Sequence, residues 1–323
     1  MKKTVFFLCF AAILFASCGP GKQKDDKTTA DADRAGVSGM INVDGDGILY
    51  PLMNKWKQEF AKEFSEVKIG IKTGNTGSGL KRLAAGELQM VMAARELSET
   101  EKQSGFWAVP VAKDVVLPVI SFDNSNLQKI VFTGVTKEKM ASAFTGKISS
   151  WGQLLQQPSK DPVELYAMND SADISLFWAG FLGVDAGNIK GNKVSGENEM
   201  AMKVAANKNA LGYCSMTYVF DITTGFKKKN LYVLPIDLNA NKMADDNELV
   251  FDKLDDIKSA VSSGKYPSPP SRKLYLVCKT KPSDKATVSF IKWILTVGQN
   301  HCGPFGFINL STEEAAGYLK QLE

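Results

Sequence analysis

The chain has 323 residues, 44% of them hydrophobic and 23% charged, which suffices for one large or two medium globular domains. The formal net charge of +4 is too small to indicate a nucleic-acid-binding surface, so we predict no nucleic-acid partner. His301 is the single histidine in the sequence, which excludes a multi-histidine metal centre. The sequence contains no G-x-S-x-G elbow and no Walker-type phosphate loop. We therefore predict a protein that is not an enzyme and that uses neither a metal nor a cofactor.

The N-terminal segment resembles a bacterial lipoprotein signal. Lys2 and Lys3 precede an apolar stretch over residues 5–14, which is too short to span a bilayer, and small residues then lead to Cys18. We predict a signal peptide over residues 1–17, lipidation of Cys18 and attachment to a membrane through that lipid. A plain secretory signal cut nearby is the alternative.

A polar, charged segment over residues 18–38 follows, and its composition predicts a disordered tether. The predicted location is the cell envelope, on the periplasmic face of a membrane. Lys24-Asp25-Asp26 resembles a surface-export tag, which leaves display on the outer surface open. An odd number of cysteines remains after the tether, so at most one disulfide can form among Cys214, Cys278 and Cys302.

Hydrophobic periodicity predicts alternating strands and helices along the rest of the chain. In the first half, strands are predicted at residues 40–44, 67–71, 90–93 and 109–121, and helices at 50–64, 80–85 and 136–143. In the second half, strands are predicted at residues 163–167, 211–214 and 274–279, and helices at 171–182, 197–206, 252–262, 284–298 and 312–322. This alternation favours an α/β fold with a mainly parallel sheet and helices on both faces.

A set of segments in fixed order resembles the phosphate-binding component of high-affinity phosphate ABC importers. The segments are DGDGILYPLMNKW, TGNTGSGLKRLAAGELQMVMAARELSETE, AVPVAKDVVLPVIS, FTGKISSWGQLL, ALGYCSMTYV, YPSPPSRKLYLVCK and FIKWILTVGQNHCGPFGFINL. The resemblance implies a periplasmic binding protein of type II, with two α/β domains and the ligand between them. It places domain I at residues 39–120 plus 272–323 and domain II at residues 121–271. It also implies an ABC permease as partner, and we expect a monomer.

The segment KTGNTGSGLKRL, residues 72–83, is the clearest candidate for ligand binding. A glycine-rich turn between a strand and a helix presents backbone N–H groups, and the helix dipole favours an anion there. By the resemblance, Thr76 takes the position of a hydroxyl that donates to phosphate, and Gly77 and Ser78 lead into the helix. A bare glycine turn is the alternative.

Two neighbouring segments depart from the family pattern. The first loop of the family carries hydroxyl residues, whereas this chain reads GDGILY, with Asp46, Leu49 and Tyr50. The run after the third strand offers neither the serine nor the aspartate of the family. Arg95 ends that run and is either a compensating cation or a structural arginine.

The loop before the helix at residues 171–182 departs most from the family pattern. The family has an arginine there and, four residues on, a serine-glycine-threonine group, whereas Met168 stands at the arginine position and Ala172, Asp173 and Ile174 stand at the group. Ser171 could restore one hydroxyl. Asp46, Asp170 and Asp173 are expected to bring negative charge towards the cleft, unless Asp170 caps the helix.

Three functions therefore stay open. The cleft could bind inorganic phosphate or a related small anion, it could be retuned to an amine-bearing or neutral solute, or it could have lost its ligand and serve a sensory or interaction role. The expected ligand-binding residues are Asp46, Leu49, Tyr50, Thr76, Gly77, Ser78, Arg95, Asn169, Ser171, Ala172 and Asp173. An enzyme that uses the adjacent pair His301 and Cys302 is the remaining alternative.

Overall fold

A computed structural model describes residues 36–268 and 270–323. The predicted signal peptide, the lipidation site Cys18 and nearly all of the predicted tether lie outside the described residues. In the part of the chain that is described, no helix combines the length and the apolar character needed to cross a membrane.

The strands follow the predicted order closely. They are β1 (Gly39–Gly45), β2 (Val67–Ile71), β3 (Met90–Ala93), β4 (Trp107–Ser121), β5 (Val135–Thr136), β6 (Glu164–Ala167), β7 (Asn192–Lys193), β8 (Ala210–Ser215), β9 (Leu231–Val233), β10 (Ile236–Asp237) and β11 (Ser271–Cys278).

The α-helices lie between these strands. They are α1 (Tyr50–Phe60), α2 (Thr76–Ala84), α3 (Glu99–Gln103), α4 (Leu127–Thr133), α5 (Lys137–Phe144), α6 (Trp151–Leu155), α7 (Asp173–Leu182), α8 (Glu197–Ala206), α9 (Met216–Val219), α10 (Leu254–Ser262), α11 (Lys285–Leu295) and α12 (Thr312–Gln321). Short 3-10 helices cover Gly47–Leu49, Ala186–Asn188, Val297–His301 and Gly303–Phe305.

Most strands join one sheet in the order β2-β1-β3-β11-β4-β8-β6-β7, with β9 also paired to β4. The pairs at both ends of the sheet are parallel, as the strand–helix alternation predicts. The central pairs, which involve β11 and β4, are antiparallel. The long strand β4 pairs with β11 along its first part and with β8 along its second, so it runs through both halves of the molecule.

The strand β4 contributes side chains to two large hydrophobic cores. Val109, Val111 and Ala112 belong to one core, which also contains residues of β1, α1 and α11. The other core contains residues of β4 from Val115 onward, together with residues of α7 and α8. We call the part of the fold around the first core the first lobe and the part around the second core the second lobe. The fold is thus a two-domain α/β fold, and the exact domain boundaries stay a prediction.

The first lobe has apolar contacts on both faces of its sheet. In β3, Met90 and Met92 point into the large core, whereas Val91 and Ala93 contact a smaller cluster beneath α2. Successive side chains of a strand point to opposite faces, so a strand covered by helices on both sides is apolar throughout. This explains why the short run MVMA is completely buried.

Several helix boundaries differ from the prediction, for local reasons. α1 ends at Phe60, and Phe64 stacks on Phe60 from a hydrogen-bonded turn at a ring separation of 4.4 Å, so the hydrophobic spacing continues beyond the helix. α11 ends at Leu295 and a separate 3-10 helix follows it. α7 begins at Asp173, two residues later than predicted.

Candidate functional site

The glycine loop, residues 72–79, is partly helical. α2 already begins at Thr76, because the side chain of Asn75 accepts a hydrogen bond of 2.8 Å from the N–H of Ser78 and caps the helix. The predicted helix start at residue 80 is therefore four residues late. Gly79 serves packing, since a Cβ atom there would lie 2.9 Å from Val91 on β3. The helix start thus lies directly against the sheet at the cleft.

A carboxylate of the second lobe occupies the space in front of this helix start. Asp173, the first residue of α7, accepts hydrogen bonds on Oδ2 from the hydroxyl of Thr76 and, at 3.0 Å, from the N–H of Ala94. Its Oδ1 lies 3.5 Å from Nε of Arg95. The side chain of Asp173 is 1% exposed and Thr76 is completely buried. We call the cradle the hydroxyl of Thr76, the N–H of Ala94 and the Nε edge of Arg95, of which the first two donate hydrogen bonds to Asp173 and the third lies at ion-pair distance.

Arg95 combines the two roles that its position in the sequence left open. Its guanidinium forms a two-pronged ion pair with Glu101 at 2.7 and 2.8 Å and donates to the carbonyl of Glu96 at 2.9 Å. The hydrogen bonds with Glu101, above all, raise the pKa of Arg95, and the charge of Asp173 adds to this effect. Arg95 is therefore anchored inside the first lobe and turns its Nε edge towards the cleft.

A second acid lies close to the cradle. Asp46 accepts a hydrogen bond of 2.9 Å from the N–H of Ile48 and so caps the 3-10 helix that precedes α1. Burial, and next the negative charge of Asp173, raise the pKa of Asp46 to about 6. Asp46 therefore interacts electrostatically with Asp173 across the cleft.

The other polar residues of the second loop, residues 168–172, turn away from the cradle. Asp170 forms an ion pair with Lys193 and is half exposed, so it neither caps α7 nor carries charge into the cleft, contrary to expectation. Ser171 and Asn169 are exposed. Ala172 occupies the capping position of α7 and offers no side-chain hydrogen bond. Of this loop and the start of α7, Asp173 alone reaches the cradle among the described residues.

The remaining predicted ligand residues lie near the site with different roles. Ser78 is exposed and its hydroxyl donates to the carbonyl of Asn75 at 3.1 Å. Leu49 is completely buried in the first core, and Tyr50 is 42% exposed at the start of α1. Gly77 lies in the first turn of α2, where the backbone N–H groups point forward. Direct ligand contacts by these residues stay a prediction.

A buried polar network supports the cradle from the sheet. Arg272 donates to Oδ2 of Asp114 at 3.0 and 2.8 Å and to the carbonyl of Ala94 at 3.0 Å. Ser215 donates to Oδ1 of Asp114 at 2.7 Å. Asp114 is completely buried and Arg272 is 4% exposed. The network therefore ties β4, β8 and β11 together and holds the carbonyl of Ala94, the residue whose N–H faces Asp173.

Glu197, at the start of α8, extends this network. Its Oε2 accepts a hydrogen bond from the N–H of Ser215. Burial raises the pKa of Glu197 to about 8, against the opposing effect of Arg272. The buried network thus contains a further carboxyl group that the sequence did not indicate.

Sequence reasoning missed four members of this site, namely Ala94, Asp114, Glu197 and Arg272. Ala94 acts through its backbone N–H, so its side chain gives no signal. Asp114 did carry a signal, because it interrupts the apolar run AVPVAKDVVLPVIS in a strand that is buried along nearly its whole length. A charged residue at such a position needs a buried partner.

A pocket of about 490 Å³ opens beside the cradle between α7 and the first lobe. Arg95 and Arg272 line it on the first-lobe side, and Phe177 and Phe181 line it on α7. Its volume lies within the range of small-molecule sites. The guanidinium of Arg272 lies 5.6 Å from the ring centre of Phe177, so this aromatic side chain also covers the buried network.

The alternative pair His301 and Cys302 does not form a reactive site. The ring of His301 stacks on Trp293 at 6.1 Å. Cys302 is completely buried, and burial raises the pKa of its thiol to about 12, so its thiolate is not accessible at neutral pH. Cys214 and Cys278 are likewise buried and free.

Both the fold and the interlobe site define a solute-binding protein of the periplasmic-binding type. The family of the PBP superfamily domain matches residues 27–297, and the chain belongs to this family. This confirms the fold class expected from the ordered segments.

Phosphate-binding proteins are among the most similar relatives. The phosphate-binding protein PstS of Staphylococcus saprophyticus is 24% identical over 97% of this chain and 91% of its own length. A candidate phosphate ABC transporter substrate-binding protein of Clostridium perfringens, solved with bound phosphate, superposes with a TM-score of 0.66 at 22% identity, over 84% of this chain and all of its own. An ABC-type phosphate transport receptor of Vibrio cholerae superposes with a TM-score of 0.65 at 16% identity, over 84% of this chain and all of its own. These matches confirm the resemblance to phosphate-binding proteins.

Proposed function

We propose that this chain is the extracytoplasmic solute-binding subunit of an ABC importer and that its cleft captures phosphate or a related small oxyanion. The observation that carries the proposal is the cradle itself, which already holds an anionic group on a hydroxyl, a peptide N–H and a guanidinium edge. Such charge-assisted donors are the ones that buried oxyanions require. The phosphate-binding relatives support the same ligand class.

The protein acts by binding and closing rather than by chemical conversion. Its two lobes share β4, and the cradle lies where the first lobe meets α7. Domain closure around a small solute is a standard motion of two-lobed binding proteins. The stacked imidazole of His301 and the buried thiol of Cys302 support a role without a nucleophile.

Delivery to an ABC permease, the monomeric state and anchoring through Cys18 complete the proposal. The anchor rests on the residues around Cys18 in the sequence, and it would keep the protein at the envelope near its permease. Mass spectrometry of the membrane fraction tests it. A diacyl modification on Cys18 supports the anchor, and a mature chain that begins elsewhere without lipid contradicts it.

A second function is favoured by the carboxyl groups of the cleft. Asp46 and Asp173 lie at the cradle, and their carboxylates would accept hydrogen bonds from an amine-bearing or neutral solute once the cleft opens. The pocket of about 490 Å³ beside Arg95 offers room for such a molecule. In this alternative the fold is retained while phosphate is no longer the ligand.

Thermal unfolding with a solute panel discriminates between the two. The panel contains phosphate, sulfate, small amines and amino acids, each at millimolar concentration and neutral pH. A ligand at a hundred times its dissociation constant stabilises the fold by about 2.7 kcal/mol, which corresponds to a shift on the order of 5 °C. A shift with phosphate supports the first function. A shift with amines and none with phosphate contradicts it and supports the second.

A further inference from the structure

Asp173 makes its hydrogen bonds across the cleft and not within its own lobe. It belongs to α7, whereas the hydroxyl of Thr76, the N–H of Ala94 and Nε of Arg95 all belong to the first lobe. Oδ2 accepts two hydrogen bonds, Oδ1 forms an ion pair with Arg95, and the side chain is nearly inaccessible to solvent. The contact is therefore a junction between the lobes at the place where a solute would lie.

A purely structural role does not account for this carboxylate. Asp173 does not cap α7, since the capping position is Ala172. Arg95 does not need it as a counter-ion, because Glu101 already neutralises that guanidinium through two short hydrogen bonds. The carboxylate of Asp173 therefore lies where the cradle would bind the oxyanion of a solute. It differs from a solute in being covalently part of the chain.

An external oxyanion cannot share the cradle with this side chain. Both would need the hydroxyl of Thr76 and the N–H of Ala94, and a buried donor of this kind serves one anion at a time. Two negative groups in contact in a dry cleft also repel each other strongly. Asp46 adds a further acid next to them. Occupation by Asp173 and occupation by a solute anion are therefore mutually exclusive.

We propose that Asp173 is a specificity-determining residue, a tethered carboxylate that fills the oxyanion position, holds the lobes together without solute, and must withdraw before an external oxyanion can bind. This inference rests on the proposed function, because it concerns the same site. A tethered group competes at an effective concentration in the millimolar range, and the apparent affinity of the external ligand falls with the fraction of open cradles.

The test compares the wild-type chain with Asp173→Gly and Asp173→Asn. Glycine is the residue that the family resemblance implies at this position, and asparagine removes the charge while keeping the shape. Asp170→Asn is the matched control, because Asp170 is an acid of the neighbouring loop that pairs with Lys193 outside the cradle. Calorimetry measures phosphate binding, and small-angle X-ray scattering measures the radius of gyration with and without phosphate.

We expect phosphate affinity at least tenfold higher in Asp173→Gly than in the wild type, and no change in Asp170→Asn. Without phosphate, both Asp173 variants should be more extended than the wild type and the control. Thermal unfolding confirms that each variant is folded.

The outcomes separate this inference from the proposed function. If wild type and both Asp173 variants bind phosphate equally well, Asp173 is no competitor and the inference is overturned, while the proposed function stands. If no chain binds phosphate, the proposed function fails and scattering decides on the junction alone. Expansion confined to the Asp173 variants then supports the interlobe tie, and identical scattering of all chains overturns it.

Discussion

Two loops meet at the cleft, and each leads into a helix, but they offer opposite chemistry. The glycine loop of the first lobe presents the hydroxyl of Thr76 at the start of α2. The second loop offers, at the start of α7, the carboxylate of Asp173, and its hydroxyl at Ser171 faces solvent. A site for an external anion would have donors on both sides. Here the two lobes are complementary to each other, so one loop has kept its anion-binding chemistry and the other supplies the anion.

The largest expected effect on this comparison comes from the support beneath the cradle. Arg272→Met removes the hydrogen bonds to Asp114 and to the carbonyl of Ala94 and leaves the Asp114 carboxylate buried without its cation. Loss of one partner of a buried ion pair destabilises a fold by about 3–5 kcal/mol. Chemical denaturation should show this loss. Lys273→Met, which removes a partly exposed cation of the same strand that pairs with Glu314, serves as control, and an equal effect of both substitutions would contradict the role of the buried pair.

The pH dependence of stability tests the acids of the second lobe. The pKa of Glu197 is raised to about 8 by burial, so the folded state binds its proton more tightly than the unfolded state does. The stabilisation is fully present below pH 4.5 and is lost as the pH rises through about 8. At about 1.4 kcal/mol for each unit, the loss is on the order of 3 kcal/mol after allowance for relaxation.

Glu197→Gln should therefore flatten the stability profile between pH 5 and pH 8, and should stabilise the chain at pH 8. Urea denaturation at a series of pH values measures both. A variant whose profile runs parallel to that of the wild type would show that Glu197 is not the responsible group. Glu199→Gln is the control, because hydrogen bonds from Ser195 lower the pKa of this partly exposed acid on the same helix, so it does not titrate between pH 5 and pH 8.

A smaller effect is expected for the donor itself. Thr76→Val keeps the shape and removes the hydroxyl that donates to Asp173. A hydrogen bond to a charged group contributes about 1.5–3 kcal/mol, so the wild-type background should lose about that amount of stability. In the Asp173→Gly background the same change should weaken phosphate binding about tenfold or more. If phosphate affinity there is unaffected by Thr76→Val, the glycine loop is not the oxyanion site.

The sequence predicted the order of elements well because long buried strands and amphipathic helices carry strong periodic signals. β1, β3, α8 and α12 lie within a residue or two of their predicted bounds. Helix starts were less accurate, as at Thr76, because one side-chain cap from Asn75 extended α2 through residues that read as a loop.

The candidate site was predicted only in part. Thr76, Arg95, Asp46 and Asp173 do converge, and the loss of the second-lobe donors was visible in the sequence. The direction in which each side chain points could not be predicted from the sequence. Asp170 and Asp173 are three residues apart and have the same side chain, but Asp170 pairs with Lys193 at the surface and Asp173 enters the cleft, because α7 begins at Asp173.

The sharing of β4 has a consequence for how the molecule comes apart. One strand of 15 residues supplies side chains to both cores, and its central Asp114 is fastened by residues of β8 and β11. Neither lobe can unfold without removing packing and hydrogen-bond contacts from the other, so the two lobes form a single cooperative unit. Any molecule retained between them consequently protects both lobes from unfolding and proteolysis, and not merely the segments that it touches.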